Sequence, residues 1–235
     1  MSVVRGGAAA LAVVMAIGAA VHGLPAEAGS TSVRIAGGLL SIPVISIREA
    51  KFKSVIQQQF DYSCGSAALA TLLSFHYARP TTEAKTFEKM FEVGDQDAIR
   101  KSGFSLLDMK NYLETVDIRA DGFRISLDEL SEAGIPGIAL IDTGGYKHFV
   151  VIKGFDGGDV LVGDPAFGMT VYTQAEFEAI WEGIIFVIRD ETQLAQSNFN
   201  VSDEWLARTR APTQQGLRRQ GLASFQLRLP AQNEF

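Results

Sequence analysis

Cysteine is almost missing from this chain: one of its 235 residues is Cys, at position 64, so no disulfide can close within it. Histidine is nearly as scarce, with three, and no pair of His or Cys recurs at the spacing of zinc ligands, so no metal and no cofactor is implied. Basic clusters with interleaved aromatics are lacking, and 27 acidic against 21 basic side chains leave a net charge of −6. That composition excludes the electrostatic footprint of a nucleic-acid binder. The glycine pairs Gly144-Gly145 and Gly157-Gly158 are turn glycines without the strand, loop and helix order of a phosphate loop.

Long apolar runs are confined to the N-terminus. Arg5 supplies a positive start, Ala8 to Val21 an apolar stretch short for a membrane span, and Leu24-Pro25-Ala26-Glu27-Ala28 a small-x-small ending. Residues 1–28 are therefore expected to be a signal peptide cleaved near Ala28, leaving a periplasmic or secreted chain with no membrane anchor. The remainder suffices for one well-buried domain, expected over 29–190. Residues 191–235, rich in Gln, Arg and Ser with Pro212 and Pro230, read as an appended tail, a flexible terminus or a docking arm.

Within the domain, Ser32 to Ile47 reads as irregular and extended, broken at Gly37-Gly38 and Pro43. Helical signals follow over Thr82 to Phe91, and behind the capping boxes that start at Ser105 and Ser126, predicting helices over Leu106 to Val116 and Leu127 to Ala133. Thr173-Gln174-Ala175-Glu176 caps one more, expected to run through Trp181. The period then shortens: Gly137 to Ile141, His148 to Lys153, Val160 to Val162 and Ile184 to Ile188 are β-branched and aromatic runs bounded by breakers. Asp156-Gly157-Gly158-Asp159 makes a hairpin of the middle two. Helices first and an antiparallel sheet second predict an α+β domain.

The chemistry concentrates at Gln57-Gln58-Gln59-Phe60-Asp61-Tyr62-Ser63-Cys64-Gly65-Ser66, which runs into the apolar segment Ala67 to Phe75. Helical spacing without a breaker predicts a buried helix beginning at the cysteine. In its first turn, free backbone N–H groups and the positive end of the helix dipole favour a thiolate over a thiol, the form that attacks carbonyls. A cysteine nucleophile needs a base, a group to orient the base, and a donor for the oxyanion. His76 lies twelve residues on along the same helix, roughly 18 Å away at about 1.5 Å per residue, and cannot reach the thiol. His148 is the base by elimination. Folding the hairpin brings Asp164, in Gly163-Asp164-Pro165, back towards His148 as the orienting carboxylate.

These strings resemble a family, the bacteriocin-processing, double-glycine-type cysteine peptidases, which have a papain-like fold. The resemblance rests on Gln58 six residues before Cys64, on Asp61-Tyr62-Ser63-Cys64-Gly65, on Tyr146-Lys147-His148-Phe149-Val150-Val151, and on Asp164 sixteen residues after the histidine. It covers roughly Val55 to Ile188. It implies a papain-like α+β fold with the nucleophile helix packed on an antiparallel sheet, Cys64 as nucleophile, His148 as general base, Asp164 as orienter, and Gln58 with the Cys64 backbone N–H as oxyanion donors. Transporter helices and a phosphate loop, common beside such domains, are not in this sequence; the chain looks more like the exported stand-alone branch that accompanies functional-amyloid secretion systems. The expected partner is a peptide or protein substrate, a secreted amyloid or leader-bearing protein. Two other classes remain open at this level: a peptide-binding adaptor or chaperone using the same cleft, and a hydrolase or transferase acting on another amide or thioester.

Overall fold

The computed structural model describes residues 30–35, 38–43 and 46–206; the expected signal peptide at 1–28 and the chain beyond 206 lie outside the described residues. Two units divide at Ile45. In the first, β1 (Ser30–Ile35) and β2 (Gly38–Pro43) pair antiparallel, Ser30 with Pro43 through Ile35 with Gly38. The stretch expected to be irregular and extended is, over its described residues, two paired strands.

The second unit opens with a short α1 (Ile47–Lys51) and the buried α2 (Cys64–His76). Every position of α2 from Cys64 to Leu73 is buried, as befits a helix that is small or apolar on all sides. Around it come α3 (Glu83–Val93), α4 (Gln96–Ser102) and α5 (Leu106–Glu114), followed by β3 (Ala120–Arg124), α6 (Leu127–Ala133), β4 (Gly137–Asp142), β5 (Lys147–Asp156), β6 (Asp159–Asp164), β7 (Gly168–Thr173), α7 (Gln174–Glu178), β8 (Trp181–Ile188), α8 (Thr192–Ser197) and α9 (Ser202–Leu206). The capping boxes start their helices where expected: Ser105, Ser126 and Thr173 each accept from the third backbone N–H, while Asp108, Glu129 and Glu176 return the bond.

Six strands form one sheet in the order β3-β8-β4-β5-β6-β7, each neighbouring pair antiparallel. β5 is buried on both sides, which explains its unbroken apolar run. Phe149 and Val151 join Leu69 and Leu72 of α2 in one core, whereas Val150 and Ile152 join Leu127 of α6 and Phe177 of α7 in another. The α+β architecture, with the helix that begins at Cys64 laid on an antiparallel sheet, is as expected.

Three elements depart from the sequence reading. The helix after Thr173 stops at Glu178, because Trp181 begins β8 and its indole N–H bonds the Ile184 carbonyl. β3 and β7 are strands the pattern did not show. Residues 191–206 also pack on the domain: Ala195 enters the α2 core, and Trp205 packs against Val55, Leu161 and Met169. The packed region thus extends past Asp190.

Candidate active site

Cys64 is the first residue of α2 and is buried at 8% exposure. The residue before it, Ser63, stands at the N-cap position but does not cap. Its hydroxyl donates to the Phe60 carbonyl at 2.9 Å and accepts from the Phe60 N–H at 3.1 Å, so no N-cap side chain occupies the first turn of α2. Backbone donors at that turn remain available to an anion. The loop leading into it is fastened at two further points: Gln58 N–H donates to the Pro165 carbonyl at 3.0 Å, and the Tyr146 hydroxyl donates to the Asp61 carbonyl at 2.8 Å.

His148, the second residue of β5, is 4% exposed; its Nε2 lies 2.8 Å from Asp164 Oδ1. That carboxylate oxygen also accepts from the backbone N–H groups of Ala166 at 2.7 Å and Phe167 at 3.2 Å. Asp164 is therefore locked by the turn that follows it, and the imidazole is locked by Asp164. Nδ1 of His148 has no hydrogen-bond partner among the described residues. Burial pushes the His148 pKa down, but the hydrogen bond and charge of Asp164, with the nearby charge of Cys64, outweigh it and raise the value to about 9. With Nε2 committed to Asp164, Nδ1 is the nitrogen left to face the thiol.

The pairing of Asp164 with His148 depends on a register slip. From the turn, Asp156 faces Asp159, Phe155 faces Val160 and Gly154 faces Leu161; beyond the irregularity Ile152 faces Val162 and Val151 faces Gly163. Lys153 is the extra residue, a β-bulge. Had the turn register continued, Asp164 would lie opposite Val151, and residues directly opposite share a face, the one that His148 does not use. The slip moves it opposite Val150, on the side of His148. The turn itself needs two left-handed residues, supplied by Gly157 at φ 56° and Gly158 at φ 86°.

The structure thus pairs His148 with Asp164, and Cys64 lies close enough for its charge to raise the imidazole pKa. Gln58 is in the same neighbourhood through its backbone bond to Pro165, and its Nε2 donates to the Phe60 carbonyl at 3.0 Å. Its side-chain oxygen is buried without a partner, so the amide presents its donor end to the loop that carries Cys64. The excluded His76 is wholly buried at the far end of α2, with its pKa pushed down to about 3 by burial and by the charge of Lys153. A cavity of about 640 Å³ opens at Cys64, walled by Tyr62, Phe104, Leu106, Leu140, Tyr146 and Phe149. Among the described residues no group of three or more His, Cys, Asp or Glu could hold a metal ion.

Tyr146 was given no part by the sequence reading beyond its place in a motif. Its ring stacks on the His148 ring, with centroids 5.9 Å apart and planes at 26°. The signal was present: residues two apart on a strand share a face, so an aromatic at that spacing before the base can lie against it.

A family model described as the Peptidase C39 family matches residues 52–193. Over 170 residues the chain is 43% identical to the "Probable functional amyloid protease FapD" of Pseudomonas aeruginosa, covering 72% of each. It is 29% identical over 148 residues to the "Lactococcin-G-processing and transport ATP-binding protein LagD" of Lactococcus lactis, covering 62% of this chain and 20% of that one. Among solved structures, the peptidase domain of the Streptococcus transporter ComA superposes with a TM-score of 0.49 at 18% identity, over 57% of this chain and 96% of that domain.

Proposed function

The chain belongs to the peptidase C39 family and is a cysteine peptidase, and from that premise we propose that it is an endopeptidase whose triad is Cys64, His148 and Asp164. The observation that carries this reading is the buried 2.8 Å bond from His148 to Asp164, which leaves one imidazole nitrogen for a thiol at a helix N-terminus. With His148 raised to about 9, the imidazole is protonated at neutral pH, and the attacking form of Cys64 is the thiolate. The Cys64 sulfur attacks the peptide carbonyl carbon, a C–S bond forms, and the carbonyl electron pair moves onto oxygen. That oxyanion is held by the Cys64 backbone N–H and by Gln58 Nε2, whose second N–H is not needed by Phe60. Collapse breaks the C–N bond as the imidazolium passes its proton to the leaving amine. His148, now neutral, takes a proton from water, the hydroxide adds to the thioester, and expulsion of the thiolate releases the acid. Asp164 stays charged and holds the ring in place.

We place the substrate among exported peptides or proteins, because the N-terminal segment reads as a signal peptide and because the FapD relative is described as a functional amyloid protease. The test is the rate of Cys64 alkylation by iodoacetamide against pH, read by intact mass, in the wild type and in His148→Ala, followed by digestion of candidate exported proteins. Fast alkylation at neutral pH that the variant loses supports the pair; equal rates in both proteins overturn it. A mature N-terminus at Gly29 in a periplasmic extract tests the location.

A further inference from the structure

We infer that Tyr146 is a positioning residue for the Cys64–His148 pair, its ring setting the plane of the imidazole and its hydroxyl fixing the nucleophile loop to the strand that carries the base. This rests on the triad reading above. Tyr146 is the last residue of the turn between β4 and β5, a turn built by Gly144 and Gly145 at positive φ and by the bond from Gly145 N–H to the Asp142 carboxylate at 2.6 Å. Thr143 N–H donates to the Tyr146 carbonyl at 3.0 Å, so its backbone is held before its side chain makes any contact.

From that anchor the side chain bridges two elements. One contact is the ring stack on His148; the other is the hydroxyl bond to Asp61, three residues before Cys64. Gln58 ties the same loop to Pro165, next to Asp164. The loop is therefore pinned to the sheet on both sides of the pair, through the orienter's turn at one end and through Tyr146 at the other. The ring is half exposed and walls the cavity at Cys64, so the bridge is not explained by core packing. Burial, then the charges of Cys64, Asp61 and Asp164, raise the phenol pKa, so the hydroxyl remains a donor through the working range.

Alkylation of Cys64 by iodoacetamide tests this, because the reagent is small and neutral and reads the pair without a peptide in the cleft. Tyr146→Phe removes the tether and keeps the ring; Tyr146→Leu removes both; His148→Ala is the reference, and thermal unfolding checks that each variant folds. At neutral pH the Phe variant is expected to react about fivefold more slowly, the worth of one neutral hydrogen bond, and the Leu variant roughly twentyfold more slowly once the ring contact is also gone. The deficit should close near about pH 10, where the His148 imidazolium is gone and no longer assists the thiol. A structural or steric effect would not depend on pH in this way. If His148→Ala slows alkylation and Tyr146→Leu does not, Tyr146 is only a wall of the cleft. A deficit that persists undiminished at alkaline pH likewise overturns the positioning role. If His148→Ala reacts like the wild type, the pair itself is wrong, and the role of Tyr146 falls with it.

Discussion

Glu204 on α9 reaches to 2.9 Å from the ammonium of Lys153, whose side chain is completely buried at the bulge of β5. The lysine also donates to the Ser54 carbonyl at 3.1 Å and sits 5.4 Å from the centre of the Phe75 ring. A buried ammonium without its carboxylate is an uncompensated charge, so Glu204→Gln is expected to destabilise the fold by about 3–5 kcal/mol, measured by urea unfolding. Lys153→Met with Glu204→Leu should return most of that loss, because apolar side chains of similar volume need no partner. The same comparison tests whether residues past 193, where the family match ends, are part of the folding unit. Little change in Glu204→Gln would show that they are not.

A second fastening lies one residue on. A Cβ built on Gly154 would stand 2.5 Å from Asn200 Oδ1 and 3.0 Å from Asn200 Cα, while Asn200 N–H donates to the Lys153 carbonyl at 2.8 Å. Gly154→Ala must push the C-terminal segment off the bulge, at a cost of about 1–3 kcal/mol for overpacking. Because the bulge sets the face on which Asp164 stands, this variant should also lower the rate of Cys64 alkylation at neutral pH. Loss of stability with an unchanged alkylation rate would mean that the register survives without the clamp.

The sequence was most legible where one local rule decided the outcome. Three capping boxes placed helix starts at Leu106, Leu127 and Gln174, and two glycines between Asp156 and Asp159 placed the hairpin that carries the histidine and its aspartate. It was silent where a long-range contact decided. β3 reads as Ala-Asp-Gly-Phe-Arg, without alternation, and is a strand because β8 pairs with it. The helix after Thr173 ended early because Trp181 was needed for β8. The bulge at Lys153 left no mark in the apolar run, so the hairpin pointed towards Asp164 but could not tell on which face it would emerge. The buried Lys153 was unreadable for the same reason, since its charge is tolerated through Glu204, far along the chain.

The two histidines of the described residues titrate in opposite directions, so their shares of the stability curve bend opposite ways. His76 falls from 6.5 to about 3, so between those values the unfolded chain binds more protons, and stability drops as pH falls below 6.5. His148 rises from 6.5 to about 9, so the folded chain binds more protons across that window, and stability drops as pH climbs through it. Their joint contribution peaks near 6.5. Urea unfolding at a series of pH values should show both limbs, with His76→Leu flattening the acid one and His148→Ala the alkaline one. An alkaline limb that His148→Ala leaves unchanged would contradict the His148 environment.

Alkylation of Cys64 itself should change His148. Burial opposes the charged ring, and what overcomes it comes from two neighbours, Asp164 through a hydrogen bond and a charge, and Cys64 through its charge. Carboxamidomethylation converts the thiolate into a neutral thioether and removes one neighbour, leaving Asp164 alone against desolvation. The imidazole pKa, followed by the NMR shift of the ring protons, is therefore expected to fall from about 9 towards the ordinary range once the thiol is blocked. Asp164→Asn should lower it in the unmodified protein for the parallel reason, and the two changes together should lower it further than either alone. An unmoved His148 after complete alkylation would mean that the thiol and the imidazole do not share a proton, and that the raised value is owed to Asp164 alone.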